Sequence, residues 1–328
     1  MSQSPSYDPH SLHVTLVTPF GEDGRVVHSE LGGMVRELYA PHNGGNLVPI
    51  INAEAGEFYT LSQDERHANL VTAREATEGR AFVAGVSGIT SAEAAACARR
   101  ALADGASGLF ILPPFGSSDI STAWNGVTYP EVMVNYLRAI AAEAGDTPFV
   151  IHPSGSRTPE YGLGWPLETV RAVIDAVPNV AGWKMTYSYE GFRRVARFLR
   201  ESAPHVAILP SSAVRYHENL ANDQFDGACS GSFCYSLSPM LAHISAWRRG
   251  DFPEALRIWK SGLAKLHEYV YSDYARLHTR YKVGAYLCGA ISSPLLRDPF
   301  PAPTAAETET MTTLLEGAGI PVRATAGV

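Results

Sequence analysis

The chain has 328 residues, 45% of them hydrophobic and 18% charged, with a formal net charge of −7. That is room for one large α/β unit with an appendage. The acidic balance and the lack of any Lys/Arg-rich run exclude nucleic acid as an expected partner, and no apolar run reaches the roughly 18 residues of a membrane span. The opening MSQSPSYDPH lacks the basic-then-apolar order of a secretory signal. Cys97, Cys229, Cys234 and Cys288 fit no zinc spacing and read as small buried hydrophobes in a reducing, cytoplasmic setting.

Strand and helix signals alternate from residue 12 to about residue 235. Strands are expected at Leu12–Thr18, Leu47–Asn52, Ala81–Val86, Gly108–Leu112, Phe149–His152, Val180–Lys184, Val206–Leu209 and Gly227–Ser230. They are continuous apolar runs, as strands covered on both faces should be. Between them, Ser62 and Glu65 form a capping-box signature for a helix toward Glu75, and Thr90 or Ser91 caps an alanine-rich helix. Helices are also expected at Tyr129–Ala142, Pro166–Ala176, Glu190–Glu201 and Ala213–Ala221. Eight such units predict a (β/α)8 barrel over residues 1–236, with a doubly wound open sheet as the competing arrangement. From Ser238 the period is helical, broken by Pro294, Pro299, Pro301 and Pro303 and resumed in AAETETMTTLLEG. Residues 237–328 are therefore expected to form a helical extension, packed on the barrel or on a neighbouring subunit.

In a barrel of this kind the reacting groups sit at the C-terminal strand ends and in the loops after them. Only four of the 26 basic residues are lysines, and Lys184 alone precedes residue 260, at the end of an apolar strand. An apolar cavity disfavours an ammonium, so a neutral amine becomes available to condense with a carbonyl, which arginine cannot do. A lysine reaching the rim to pair with an acid is the competing reading. His152 ends the strand PFVIH, and its unperturbed pKa of roughly 6.5 suits proton transfer. It can also simply fill space against the backbone. Glu54, in the loop NAEAGE, is a candidate acid or base, while Glu57 reads as a residue that holds the loop. Ser230, at the last strand end, is a candidate substrate contact. No paired-histidine zinc motif, dinucleotide fingerprint, nucleophile elbow or phosphate loop occurs, so neither metal nor cofactor is expected.

Several stretches in order resemble the dihydrodipicolinate synthase / N-acetylneuraminate lyase family of class I aldolases: LVTPF (16–20), AEAGEFYTLSQDER (53–66), FVAGVSGITSAEAAACARRALADGASGLFILPPF (82–115), HPSGSRT (152–158) and AGWKM (181–185). The resemblance spans roughly residues 12 to 320. It implies a barrel enzyme in which Lys184 forms a Schiff base with a small carbonyl substrate, by family habit a 2-oxo acid. Carbon–carbon bond cleavage or formation is the expected reaction. Dehydration, deamination and decarboxylation are alternatives on the same scaffold, and a non-catalytic metabolite-binding descendant is an alternative of another class.

The departures from the family pattern lie at the site itself. His152 stands where the family has its proton-shuttling tyrosine. Glu54 and Ala55 replace the paired threonines that hold the keto-acid carboxylate and relay protons, and an ionised Glu54 facing the site would repel such a carboxylate. The second relay tyrosine falls near Phe115. Arg157 remains where synthase members meet their second substrate's carboxylate, and Pro159 replaces the glycine that follows nearby. The strand-end positions and the resemblance together give Lys184, His152 and Glu54 as catalytic candidates and Ala55, Phe115, Arg157 and Ser230 as candidate substrate contacts. The resemblance also implies a homotetramer or homodimer, for which the apolar LFILPPF and the helical tail are the expected contact surfaces.

Overall fold

The computed structural model describes residues 7–44, 46–114 and 126–323. Its strands are β1 (Leu12–Thr15), β2 (Leu47–Ile51), β3 (Val83–Val86), β4 (Gly108–Ile111), β5 (Phe149–Ile151), β6 (Ser154–Thr158), β7 (Gly162–Gly164), β8 (Val180–Met185), β9 (Ala207–Pro210) and β10 (Ala228–Ser230). Eight of them pair in the order β10-β1-β2-β3-β4-β5-β8-β9, while β6 and β7 form a separate antiparallel hairpin. All pairings within the eight are parallel. Asp226 bridges β9 and the chain entering β10, closing the ring. Its N–H donates to the Ile208 carbonyl at 3.1 Å and its carboxylate accepts the Ile208 N–H at 2.7 Å. The expected barrel is present, and each expected strand lies within one or two residues of its place except the first, which ends three residues early.

Alternation along each strand divides the core in two. In β4 and just after it, Phe110 and Leu112 join Val48, Ile50, Val83, Val150 and Leu209 inside the barrel. Leu109 and Ile111 face the helices. This corrects the expected role of LFILPPF: Leu109 to Leu112 are at most 2% exposed and offer no contact surface. Phe115 lies outside the described residues. Capping boxes start the helices Gln63–Thr77 and Ser91–Ala103, where Ser62 and Thr90 accept from the backbone N–H groups of Glu65 and Glu93.

At the end of β2 the chain turns sharply, because Asn52 adopts a left-handed φ of 57°. Its side chain stabilises that turn by donating to the Arg66 carbonyl at 2.9 Å and accepting from Asn69 at 3.0 Å. Neighbouring β3 can pass only because Gly85 has no side chain: a Cβ there would lie 1.8 Å from the Asn52 carbonyl oxygen. The turn throws residues 53–57 over the C-terminal mouth of the barrel.

Helices Phe233–Arg248, Phe252–Ile258, Ala264–Val270, Leu277–Leu287 and Ala305–Gly317 follow, and the proline-rich stretch before the last one is not helical. They dock on the mouth through Tyr271, whose buried hydroxyl donates to the Ser211 carbonyl at 2.9 Å and meets the Ser230 and Tyr281 hydroxyls at 3.0 and 2.6 Å.

Candidate active site

Three chain segments meet at the barrel mouth. Lys184 stands one residue before the end of β8, and His152 directly follows β5, the neighbouring strand, where Ile151 pairs with Trp183. Glu54 comes from the loop after β2. One carboxylate oxygen, Glu54 Oε2, accepts from Lys184 Nζ at 3.3 Å and forms a short hydrogen bond with His152 Nε2. The Phe110 ring lies beneath both partners, with its centroid 5.3 Å from Lys184 Nζ and 5.7 Å from the His152 ring centre. Glu54 is the most open of the three: its side chain is 34% exposed, against 11% for Lys184 and 1% for His152.

Electrostatics assign charge within this group. Burial alone would raise the Glu54 carboxyl, but His152 and Lys184, with a smaller pull from His278, hold it well below the usual carboxylate range. Burial lowers the His152 imidazole, and Lys184 adds to that while Glu54 opposes it. At neutral pH the arrangement is an ionised glutamate beside a neutral histidine. His152 Nδ1 is buried without a hydrogen-bond partner, so Nε2, which meets Glu54, is the ring nitrogen in polar contact.

The helix Leu277–Leu287 contributes groups that the sequence reading missed. His278 lies where the Glu54 and Lys184 charges act on it, and burial lowers its pKa. Its ring packs against Tyr281 and Phe300. Four residues on, and so on the same helix face, Lys282 forms a 2.6 Å ion pair with Glu57 in which both side chains are 1% exposed. Glu57 also accepts the Arg297 backbone N–H at 3.0 Å. Its loop-holding role is therefore real, but its partners come from the C-terminal segment. The available signal was spacing: a histidine and a lysine four apart on one helix, facing two glutamates three apart in one loop.

The other candidate contacts are dispersed. Ala55 is buried in the same loop as Glu54. Arg157 is exposed on the β6–β7 hairpin and lines a cleft of about 520 Å³ with Thr186, Arg215 and Tyr274. Ser230 is 2% exposed, and its hydroxyl is engaged by Tyr271 and the Ser232 N–H. Cys229 is fully buried inside the barrel, its thiol pushed up to about 12 by burial.

A lysine at the end of a barrel strand, with a carboxylate and an imidazole on its amine side, is equipment for carbonyl condensation. The dihydrodipicolinate synthetase family model matches residues 8–318. The chain belongs to that family. Its members are class I aldolase-type lyases that act on small substrates, and this chain is an enzyme of that type. A 4-hydroxy-tetrahydrodipicolinate synthase of Acidiphilium cryptum is 28% identical over 295 residues, covering 87% of this chain and 93% of that protein. An uncharacterized DapA-like lyase of Rhizobium meliloti is 32% identical over 152 residues, 46% of each chain. Among solved structures, YagE from E. coli K12 in complex with pyruvate superposes with a TM-score of 0.78 at 19% identity, covering 94% of this chain and 98% of YagE. Proteus mirabilis N-acetylneuraminate lyase gives 0.76 at 19% identity, over 94% and 98% of the two chains. At such identities these two likenesses speak for the fold. Among the described residues no helix is long and apolar enough to cross a membrane.

Proposed function

We propose that Lys184 forms a Schiff base with a small carbonyl compound and that the enzyme then makes or breaks the carbon–carbon bond beside it. The observation that carries this reading is the single oxygen of Glu54 in contact with both Lys184 Nζ and His152 Nε2. Glu54 accepts the proton that the ammonium must lose before its lone pair can attack. The nitrogen bonds to the carbonyl carbon and the C=O π pair moves to oxygen; that oxygen takes up the proton held by Glu54 and a second proton from the nitrogen and leaves as water, which returns Glu54 to its carboxylate. The resulting iminium withdraws the electron pair of an adjacent bond. His152 Nε2 then gives or takes the proton at the substrate, with Glu54 balancing the charge on the imidazole. Ala55 lies in the loop wall beside this group, and Arg157 is a contact for a more distant part of the substrate. Residence in the cytoplasm and assembly as a homodimer or homotetramer belong to the same reading on the family resemblance; light scattering at micromolar concentration tests the assembly.

Borohydride reduction in the presence of a carbonyl panel, followed by intact mass, tests the imine. A stable adduct on Lys184 is expected, and Lys184→Ala should abolish it in a protein whose circular dichroism is unchanged. Full labelling in that variant, or an adduct on Lys260, Lys265 or Lys282, would sink the reading.

A further inference from the structure

We propose that this site takes a carbonyl compound with no carboxylate bonded to the reacting carbonyl carbon: an aldehyde or a simple ketone, not a 2-oxo acid. The inference rests on the imine at Lys184 and concerns what that imine carries.

The argument is a charge count at the amine. Lys184 is the cation at the reacting position, and Glu54 already faces it at 3.3 Å. After condensation the iminium keeps one positive charge and Glu54 balances it. Neither histidine supplies a second cation at neutral pH, because burial depresses both His152 and His278. A carboxylate beside the imine carbon would lie within about 6 Å of Glu54, and like charges that close in a partly buried site oppose binding by about 100-fold.

Against that repulsion the loop offers the backbone N–H groups of Glu54 and Ala55 and little else. The N–H groups of Gly56, Glu57 and Phe58 are engaged inside their own turn, at 3.0, 2.9 and 3.2 Å from their acceptors. The Thr18 hydroxyl donates to the Gly56 carbonyl at 2.6 Å. Ala55 carries no hydroxyl. Nor is Glu54 turned away, since its oxygen touches both Lys184 and His152. The Phe110 ring beneath the amine supplies an apolar surface for an uncharged carbonyl substituent instead.

The test is borohydride trapping rates with pyruvate and with acetaldehyde, in the unaltered enzyme and in Glu54→Gln. Glu54→Gln removes the proton acceptor as well as the charge and should slow labelling by both compounds, so the readout is the ratio of the pyruvate rate to the acetaldehyde rate. That ratio should be about 100-fold higher in Glu54→Gln than in the unaltered enzyme. A second measurement needs no variant: millimolar pyruvate should leave the acetaldehyde labelling rate of the unaltered enzyme unchanged. A pyruvate-to-acetaldehyde ratio that is the same in the two proteins, or pyruvate that protects Lys184 from acetaldehyde in the unaltered enzyme, overturns the substrate class and leaves the imine standing. Absence of any Lys184 adduct with either compound in either protein overturns the imine reading, and this inference with it.

Discussion

Two lysines in this molecule each meet a glutamate from the same short loop, and their surroundings could hardly differ more. Lys184 contacts Glu54 at 3.3 Å at the open end of the barrel, and it shares that carboxylate with His152. Lys282 contacts Glu57 at 2.6 Å in a sealed pocket, donates to the Leu295 carbonyl at 2.5 Å, and lies 3.9 Å from the centre of the Phe20 ring. Burial brings the Lys282 amine down to about 8, with Glu57 opposing. It is nevertheless the lysine that no substrate reaches. The comparison teaches that desolvation makes an amine available only where a path exists for the carbonyl to approach and for the proton to leave. On the proposed reading Lys184 has both, through the partly exposed Glu54. Lys282 has a partner for every direction and serves to fasten the loop on which Glu54 stands.

If the two pairs divide the work in this way, substitutions should separate chemistry from stability. The largest effect is expected at the open pair. His152→Gln keeps a polar side chain and removes the base, and should slow turnover by roughly 10²- to 10⁴-fold while imine trapping at Lys184 largely persists. Near-normal turnover across pH 5 to 9 would reduce His152 to packing and leave Glu54 as the proton carrier.

At the closed pair the readout should be stability. Lys282→Met leaves Glu57 ionised and buried without its cation, which costs about 3–5 kcal/mol. Urea denaturation should report that loss, whereas the double variant Glu57→Gln with Lys282→Met should recover most of it. A single variant as stable as the native enzyme would show that water reaches Glu57 and that the pocket is not sealed.

A smaller effect fixes the sign of the electrostatics. The folded-state pKa of Lys282 lies below its unfolded value of roughly 10.4, so the unfolded chain binds more protons across the interval between them. This group's contribution to stability must therefore rise with pH, from about pH 8 to about pH 10.4, by on the order of 3 kcal/mol. Measured as the stability difference between the native enzyme and the double variant, a flat or falling trend over that window would place the ammonium in a better-solvated site than the packing describes.

What the sequence made legible follows the range of the forces involved. The eight barrel strands were readable because a strand buried on both faces is a short apolar run wherever it occurs. The helices after Ser62 and Thr90 were readable because their capping boxes are local hydrogen bonds. The helix His28–Leu38 escaped notice because Val27 precedes it without a side-chain cap and two glycines interrupt its pattern. The β6–β7 hairpin, built from SGSRT and GLG, has too few apolar residues to signal a strand. At the site, Lys184, His152 and Glu54 stood at strand ends and could be named singly. Their sharing of one carboxylate oxygen could not, since the groups are 98 and 130 residues apart. His278 and Lys282 looked like ordinary residues of a polar helix until tertiary packing turned one face of that helix onto the loop.

The fastening of Glu57 by the C-terminal segment has a consequence in time. The loop and Arg297, whose backbone N–H reaches Glu57, are separated by 240 residues. At the roughly 5–20 residues per second of protein synthesis, the ribosome completes the loop on the order of 10–50 s before it makes the residues that fix it. Throughout that interval the loop that carries Glu54 lacks the backbone hydrogen bond from Arg297 that holds Glu57.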